Sequence, residues 1–231
     1  MNPSNPKPTA VIFATGDKNP AQGGSGLRKL LEAVKVGNLP IDVRAVVSNH
    51  LQGSVASIAA EYGCRFIHLS SFEAGDYQLI MHQAAAEFTF LSGWLKKVAG
   101  LSPSKTVNIH PGPLEFGGPG MYGHYVHEAV IAAFQRGEIT QSAVSMHFVT
   151  PHYDEGPTIF RYAVPIDQGE TADDLYRNKI RPVEHSWQWV VTWLVASGQI
   201  RWDGIAAHPV YVPVWYKELP FCPANCVAQA A

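Results

Sequence analysis

Few residues in this chain have chemistry to offer, and three groups stand out. Asn108 and His110 lie two apart in TVNIH (Thr106–His110), with Pro111 and Gly112 directly behind them. On a strand, residues two apart face the same side, so an amide and an imidazole would project together at the strand's end. That pair suits acyl transfer. The amide N–H stabilises a developing oxyanion, and the imidazole handles protons near neutral pH. A histidine that merely packs beside a turn fits an isolated Asn-x-His equally well. Asp154, in HFVTPHYDEGP (His147–Pro157), stands between a strand and an Asp-Glu-Gly turn. A carboxylate near His110 would raise the imidazole pKa and fix its orientation. A turn aspartate is the plainer reading, and local spacing does not bring the two together. The third group is Gly23, Gly24, Ser25 and Gly26, between a strand and a helix. Glycines let the backbone approach a phosphate, and a helix N-terminus points free N–H groups at it. Ser25 would cap the helix or donate to the phosphate. A tight turn with an N-cap serine is the alternative, since neither Rossmann nor P-loop spacing is present.

Other chemistries lack their signatures. No Gly-x-Ser-x-Gly elbow occurs. Cys64 precedes a strand, and Cys222 and Cys226 in FCPANC have the wrong spacing for a Cys-x-x-Cys pair. His124, His127 and Glu128 share a helix, and His147 and His152 flank a strand, but no metal-ligand motif joins them. No metal and no disulfide scaffold are expected.

The elements that must hold these residues alternate. AVIFAT (Ala10–Thr15), IDVRAVVSN (Ile41–Asn49), RFIHL (Arg65–Leu69), FTFL (Phe88–Leu91) and TVNIH read as strands. LRKLLEAVKV (Leu27–Val36), SVASIAAEYG (Ser54–Gly63), DYQLIMHQAAA (Asp76–Ala86) and HYVHEAVIAAFQRG (His124–Gly137) read as helices, the second and fourth ending on glycine. Ser142–Thr150 and Thr158–Ile166 are two more strands. Thr171 with Asp174 resembles a capping box that opens a helix from Ala172 to Ala196, kinked at Pro182. The expected architecture is α/β: one open, mostly parallel twisted sheet of about seven strands with helices on both faces. Ligands in such sheets bind beyond the carboxyl ends of strands, where the glycine loop, LSGWLKK and NIHPGP fall. Residues 1–9 are expected to form a flexible N-terminus, 10–204 the domain, and 205–231 an irregular C-terminal extension.

Composition narrows the class. Of 231 residues, 46% are hydrophobic and 16% charged, enough for one sizeable core. A formal net charge of −2 provides no basic field for nucleic acid. No apolar run reaches the ~20 residues of a membrane span, and MNPSNPKPTA lacks the apolar core of a signal peptide. A cytoplasmic monomer or homodimer acting on small molecules is the expected setting.

Taken in order, the glycine loop, NIHPG and the HFVT…DEGP segment resemble the folate-dependent formyltransferase family. Within it they are most similar to the branch that acts on glycinamide ribonucleotide. VRAVVSN, LSGWLKK, VNIHPGPLEFGGPGMYGHYVHEAV, SMHFVTPHYDEGP and Val183–His185 carry the resemblance, which covers Ala10 to Gly204. It implies the formyltransferase fold, with a Rossmann-like N-terminal half, and transfer of the formyl group of 10-formyltetrahydrofolate to a substrate amine. The family's catalytic asparagine, histidine and aspartate match Asn108, His110 and Asp154, with His110 protonated and Asp154 keeping it charged. Its phosphate loop matches Gly24, Ser25 and Gly26; Pro111 and Glu184 complete the implied substrate side. The implied folate side is Leu95, Lys96, Lys97, Val98 and Asn108, with Thr150 and Tyr153 from the loop leading to Asp154. The sequence departs from the family at Gly26, where asparagine is common, and at Lys96, which replaces an arginine and cannot make its two-pronged contact. Its Gly16–Gln22 loop is longer, and the tail after Gly204 has no counterpart. A formyltransferase acting on an amino-sugar nucleotide is the first rival reading, and a non-catalytic folate- or nucleotide-binding module the second.

Overall fold

The computed structural model describes residues 6–229; residues 1–5 of the expected flexible N-terminus lie outside them, as do 230 and 231. Seven strands form the main sheet: β1 (Thr9–Phe13), β2 (Asp42–Ser48), β3 (Phe66–His68), β4 (Phe88–Ser92), β5 (Thr106–His110), β6 (Gln141–Phe148) and β7 (Thr158–Pro165). Their order is β3-β2-β1-β4-β5-β6-β7. The first five are parallel; β6 pairs antiparallel with β5, and β7 pairs antiparallel with β6. The expected α/β sheet is therefore present, with its strand count.

Strand β1 shows why these residues make a central strand. TAVIF is an unbroken apolar run, as a strand covered on both faces requires. Ala10 and Ile12 enter one core with Leu27, Leu30 and Leu31 of α1 (Ser25–Lys35). That core also takes α2 (Ser54–Glu61), α4 (His124–Gln135) and α6 (Arg181–Ala196). Val11 and Phe13 face the other way, onto Tyr77, Ile80 and Ala84 of α3 (Ala74–Ala84). The chain builds β1, β2 and β3 outward, then returns to place β4 on β1's other side. This reversal opens a crevice at the carboxyl ends of β1 and β4, the standard ligand position of doubly wound sheets.

Three local expectations are corrected. Thr9 opens β1, and Pro8 O accepts from Asp42 N at 2.8 Å, so residues 8 and 9 are tied to the sheet. The helix after Thr171 does carry its capping box, with α5 at Ala172–Asp174. Its irregularity, however, lies at Leu175–Ile180, a π-helical turn ahead of Pro182. Pro182 has no N–H to give and its ring crowds the carbonyl four residues back, so the preceding turn widens. Finally, residues 205–229 are not irregular throughout. β8 (Val210–Val212) pairs in parallel with β9 (Cys226–Ala228), with α7 (Val214–Lys217) between them. Tyr216 donates to Ile159 O at 2.8 Å, and Phe221 packs 4.5 Å from Trp187. Arg161 N donates to Phe221 O, and Asn225 Nδ2 to Thr158 O. The tail thus satisfies and covers the outer strand β7, an edge that would otherwise stand open.

Candidate active site

One cavity of about 750 Å³ runs from the end of β1 across β4 to β5. All fourteen residues expected at the site line it: Gly24, Ser25, Gly26, Leu95, Lys96, Lys97, Val98, Asn108, His110, Pro111, Thr150, Tyr153, Asp154 and Glu184. The sequence places them on five separate segments, so their meeting is a product of the fold.

The centre is built on β5. Asn108 and His110 face the same side of it, as period-2 alternation demands. The loop between β6 and β7 folds back over them and brings Asp154 into reach. Asp154 Oδ1 lies 3.4 Å from Asn108 Nδ2, and Oδ2 lies 4.0 Å from His110 Nδ1. Gly118 N donates to Oδ2 at 3.0 Å. Asp154 adopts φ +53°, a left-handed conformation that aspartate tolerates better than most residues and that recurs where geometry serves a site. Burial draws its carboxyl pKa up, but hydrogen bonds from His147 and Gly118, with the nearby His110 and His147 charges, hold it below the usual value.

His147 is the member that the sequence reading missed. It lies within β6, opposite Asn108, rather than flanking a strand. Its Nδ1 donates to Phe148 O at 2.8 Å, since a carbonyl can only accept. Its Nε2 stands 3.2 Å from Asn108 Nδ2 and 3.3 Å from Asp154 Oδ1. The next same-face residue of β6, Ser145, pairs with His110 and donates to Gly112 O at 2.8 Å, which sets the turn after the imidazole. The alternation of SMHFV puts Ser145 and His147 on one face. Only the antiparallel pairing of β6 with β5, not readable locally, aims that face at Asn108 and His110.

His110 departs from expectation in its charge. It is 3% exposed and its Nε2 has no hydrogen-bond partner among the described residues. Burial pushes its pKa down to about 4; Asp154 pulls it up and His147 pushes it further down. The expected effect of the carboxylate exists, but at 4.0 Å it does not outweigh desolvation. His110 is therefore neutral at pH 7, not protonated.

Two arms extend from this centre. On one, Gly24 with φ +71° is the N-cap of α1, and no side chain caps the helix. Ser25, expected as the cap, is instead the first helical residue. The first-turn N–H groups of α1 are therefore left to the cavity, a ready anion site. Ahead of it the long loop is pinned to α2: Ser54 N donates to Asp17 O at 2.9 Å and Asp17 N to Ser54 Oγ at 3.0 Å. Glu184 lines this arm, and burial drives its carboxyl up to about 8. The other arm is the loop after β4. Leu95 N donates to Thr15 Oγ1 at 2.9 Å, and Lys97 O accepts from Tyr77 at 2.8 Å. These bonds hold Leu95–Val98 across from Thr150 and Tyr153. No cluster of His, Cys, Asp and Glu suited to a metal occurs among the described residues.

The sequence profile of the formyl transferase family matches residues 20–192. A chloroplastic phosphoribosylglycinamide formyltransferase of Vigna unguiculata is 31% identical over 84% of this chain; the match spans 64% of that protein's length. The phosphoribosylglycinamide formyltransferase of Escherichia coli is 29% identical over 80% of this chain and 88% of its own. Among solved structures, glycinamide ribonucleotide transformylase 1 of Symbiobacterium toebii superposes with a TM-score of 0.71 at 24% identity, over 86% of this chain and 92% of that one. The cavity-lining residues from Gly23 to Gln188 all fall inside the matched span, and by that match the chain belongs to the formyl transferase family.

Proposed function

We propose that this chain transfers the formyl group of 10-formyltetrahydrofolate to the amine of glycinamide ribonucleotide, giving formylglycinamide ribonucleotide and tetrahydrofolate. The observation that carries the reading is the meeting of Asn108, His110 and Asp154 between an uncapped helix N-terminus and a separate arm at Leu95–Val98. One arm suits a phosphate and a ribose, at Gly24–Gly26 and Glu184, with Pro111 beside the bound amine. The other, closed by Thr150 and Tyr153, suits the flat heterocycle of a folate. The similarity to proteins named for this reaction supports the assignment of substrates.

The chemistry follows from the groups at the centre. The substrate amine bonds to the formyl carbon, and the bond from that carbon to the folate nitrogen breaks. Asn108 Nδ2 keeps one N–H on His147 Nε2 and turns the other, which makes only a long 3.4 Å contact with Asp154 Oδ1, to the formyl oxygen as negative charge develops there. Neutral His110 takes the proton that the amine loses at Nδ1, the ring nitrogen directed at Asp154, because Nε2 is sealed beneath the turn. The imidazolium so formed faces the Asp154 carboxylate, which is ionised at pH 7 and favours it. The same proton then goes to the departing folate nitrogen, so no proton is gained or lost overall. His147 is a positioning residue, fixing Asn108 and Asp154 together. The three cysteines are all free thiols, which supports a reducing compartment such as the cytoplasm.

The test is a spectroscopic assay of tetrahydrofolate release with both substrates, with an amine-free control to separate transfer from hydrolysis. Turnover that requires glycinamide ribonucleotide and falls ~10²–10³-fold in Asn108→Ala is expected. Turnover in the absence of any amine, or none with this one, overturns the reading.

A further inference from the structure

Gln188 lies one helical turn beyond Glu184 on α6 and lines the same cavity. It is 3% exposed. Its Oε1 accepts from Ser92 Oγ at 3.3 Å. Its Nε2 donates to no described residue, and it is not among the polar atoms sealed away without a partner, so it opens on the cavity. Facing the carboxamide is Gly26, the second residue of α1. A Cβ at position 26 would stand 2.7 Å from Ser92 Oγ and 3.1 Å from Gln188 Oε1. A side chain on residue 26 and the seated carboxamide therefore compete for one space, and in this chain α6 fills it.

A buried amide that leaves its donor unused forgoes the hydrogen bond it had in water. The orientation here is selective: Ser92 occupies the acceptor oxygen, the carboxamide atom nearest Gly26, and leaves the N–H₂ to the cavity that the first turn of α1 also lines. That turn presents uncapped backbone N–H groups, so the carboxamide adds donors to a ring of donors and no acceptor. Such a ring matches an anion with several oxygens. A neutral amide supplies this without burying a second ion.

We propose that Gln188 is a specificity-determining residue for this chain, its Nε2–H donating to the substrate phosphate seated on the N-terminus of α1. The proposal rests on the glycinamide ribonucleotide reading above and assigns one further contact within it.

The experiment compares the full chain with Gln188→Met, similar in length but without a donor, and Gln188→Glu, similar in shape but anionic. Each is assayed with glycinamide ribonucleotide and with glycinamide riboside, which lacks the phosphate. Gln188→Met is expected to raise KM for the ribonucleotide about tenfold or more, the effect of a lost hydrogen bond to a charged group, with kcat nearly unchanged. Gln188→Glu raises it further by repulsion. The kcat/KM for the riboside stays that of the wild type in Gln188→Met. If Gln188→Met does not fold, Gln188→Asn, with a shorter reach, is read by the same ratio of the two substrates. An unchanged ribonucleotide KM overturns the assignment, as does an equal loss toward both substrates, which marks a packing role. Wild-type protein that turns over no glycinamide ribonucleotide overturns the function reading itself, and this contact with it.

Discussion

Acid should loosen this protein through two buried imidazoles, and one of them can be removed without touching the proposed chemistry. His127 on α4 is 1% exposed, stacks on Tyr176 at 5.1 Å, and has a hydrogen-bond partner at neither ring nitrogen among the described residues. Burial pushes its pKa from 6.5 down to about 4, helped by the neighbouring His124 and His110 charges and opposed by Asp173. His110 is depressed to the same level, chiefly by burial. The unfolded chain takes up these protons first. Stability from each group is therefore complete above pH 6.5 and drains away as pH falls toward 4. With those two pKa values, moving from pH 7.5 to pH 5 costs roughly 2 kcal/mol per imidazole, or about 4 for the pair. That is a large share of the ~5–15 kcal/mol by which domains are stable. His127→Phe keeps a ring against Tyr176 and removes both unpartnered nitrogens. Urea unfolding followed by tryptophan fluorescence, at pH 7.5 and at pH 5, gives the drop in stability for each protein. The drop in His127→Phe should be smaller by roughly 2 kcal/mol, while stability at pH 7.5 holds or rises. An identical drop in both proteins would refute the claim that this buried imidazole is held neutral by the fold.

Other outcomes follow from the same geometry. Asp154→Asn keeps the shape of the side chain but removes the charge facing His110, so turnover should fall by ~10² or more with the fold retained by circular dichroism; near-normal turnover would remove Asp154 from the mechanism. Glu184 has a folded pKa near 8, above its ordinary 4.5, so its contribution to stability is full below pH 4.5 and lost as pH rises through 8. Glu184→Gln should therefore raise the melting temperature more at pH 8.5 than at pH 5, and an equal effect at both would show that the carboxyl is already solvated. Tyr216→Phe strands the Ile159 carbonyl and should cost about 1–2 kcal/mol of stability. Formyl transfer should be unaffected by that change; loss of activity beyond loss of folded protein would mean that the tail reaches the site.

The elements were legible because each declares itself over a short span. TAVIF and FTFL are apolar runs of strand length, LRKLLEAVK has its leucines at helical spacing, and Thr171 with Asp174 caps locally. Asn108 and His110 were legible as a pair for the same reason, since their spacing and the strand period lie within three residues. The tail was not. Its strands have three residues each and pair only with one another, and the segment between them is anchored through Thr158, Ile159 and Arg161, more than fifty positions away.

By itself the sequence determined the order of strands and helices, the pairing of an amide with an imidazole, and, through resemblance, which residues to look for. Only the tertiary structure decided what those residues are to one another. Asp154 reaches Asn108 because the β6–β7 loop folds back over β5, and His147 joins them because β6 runs antiparallel. The charge of His110 lay further out of reach. Its pKa is a balance between a carboxylate 4.0 Å away and the water that packing removes, and neither quantity is written in the neighbours of residue 110. Desolvation sums over everything that surrounds a group in three dimensions, so it exists only once the chain has folded.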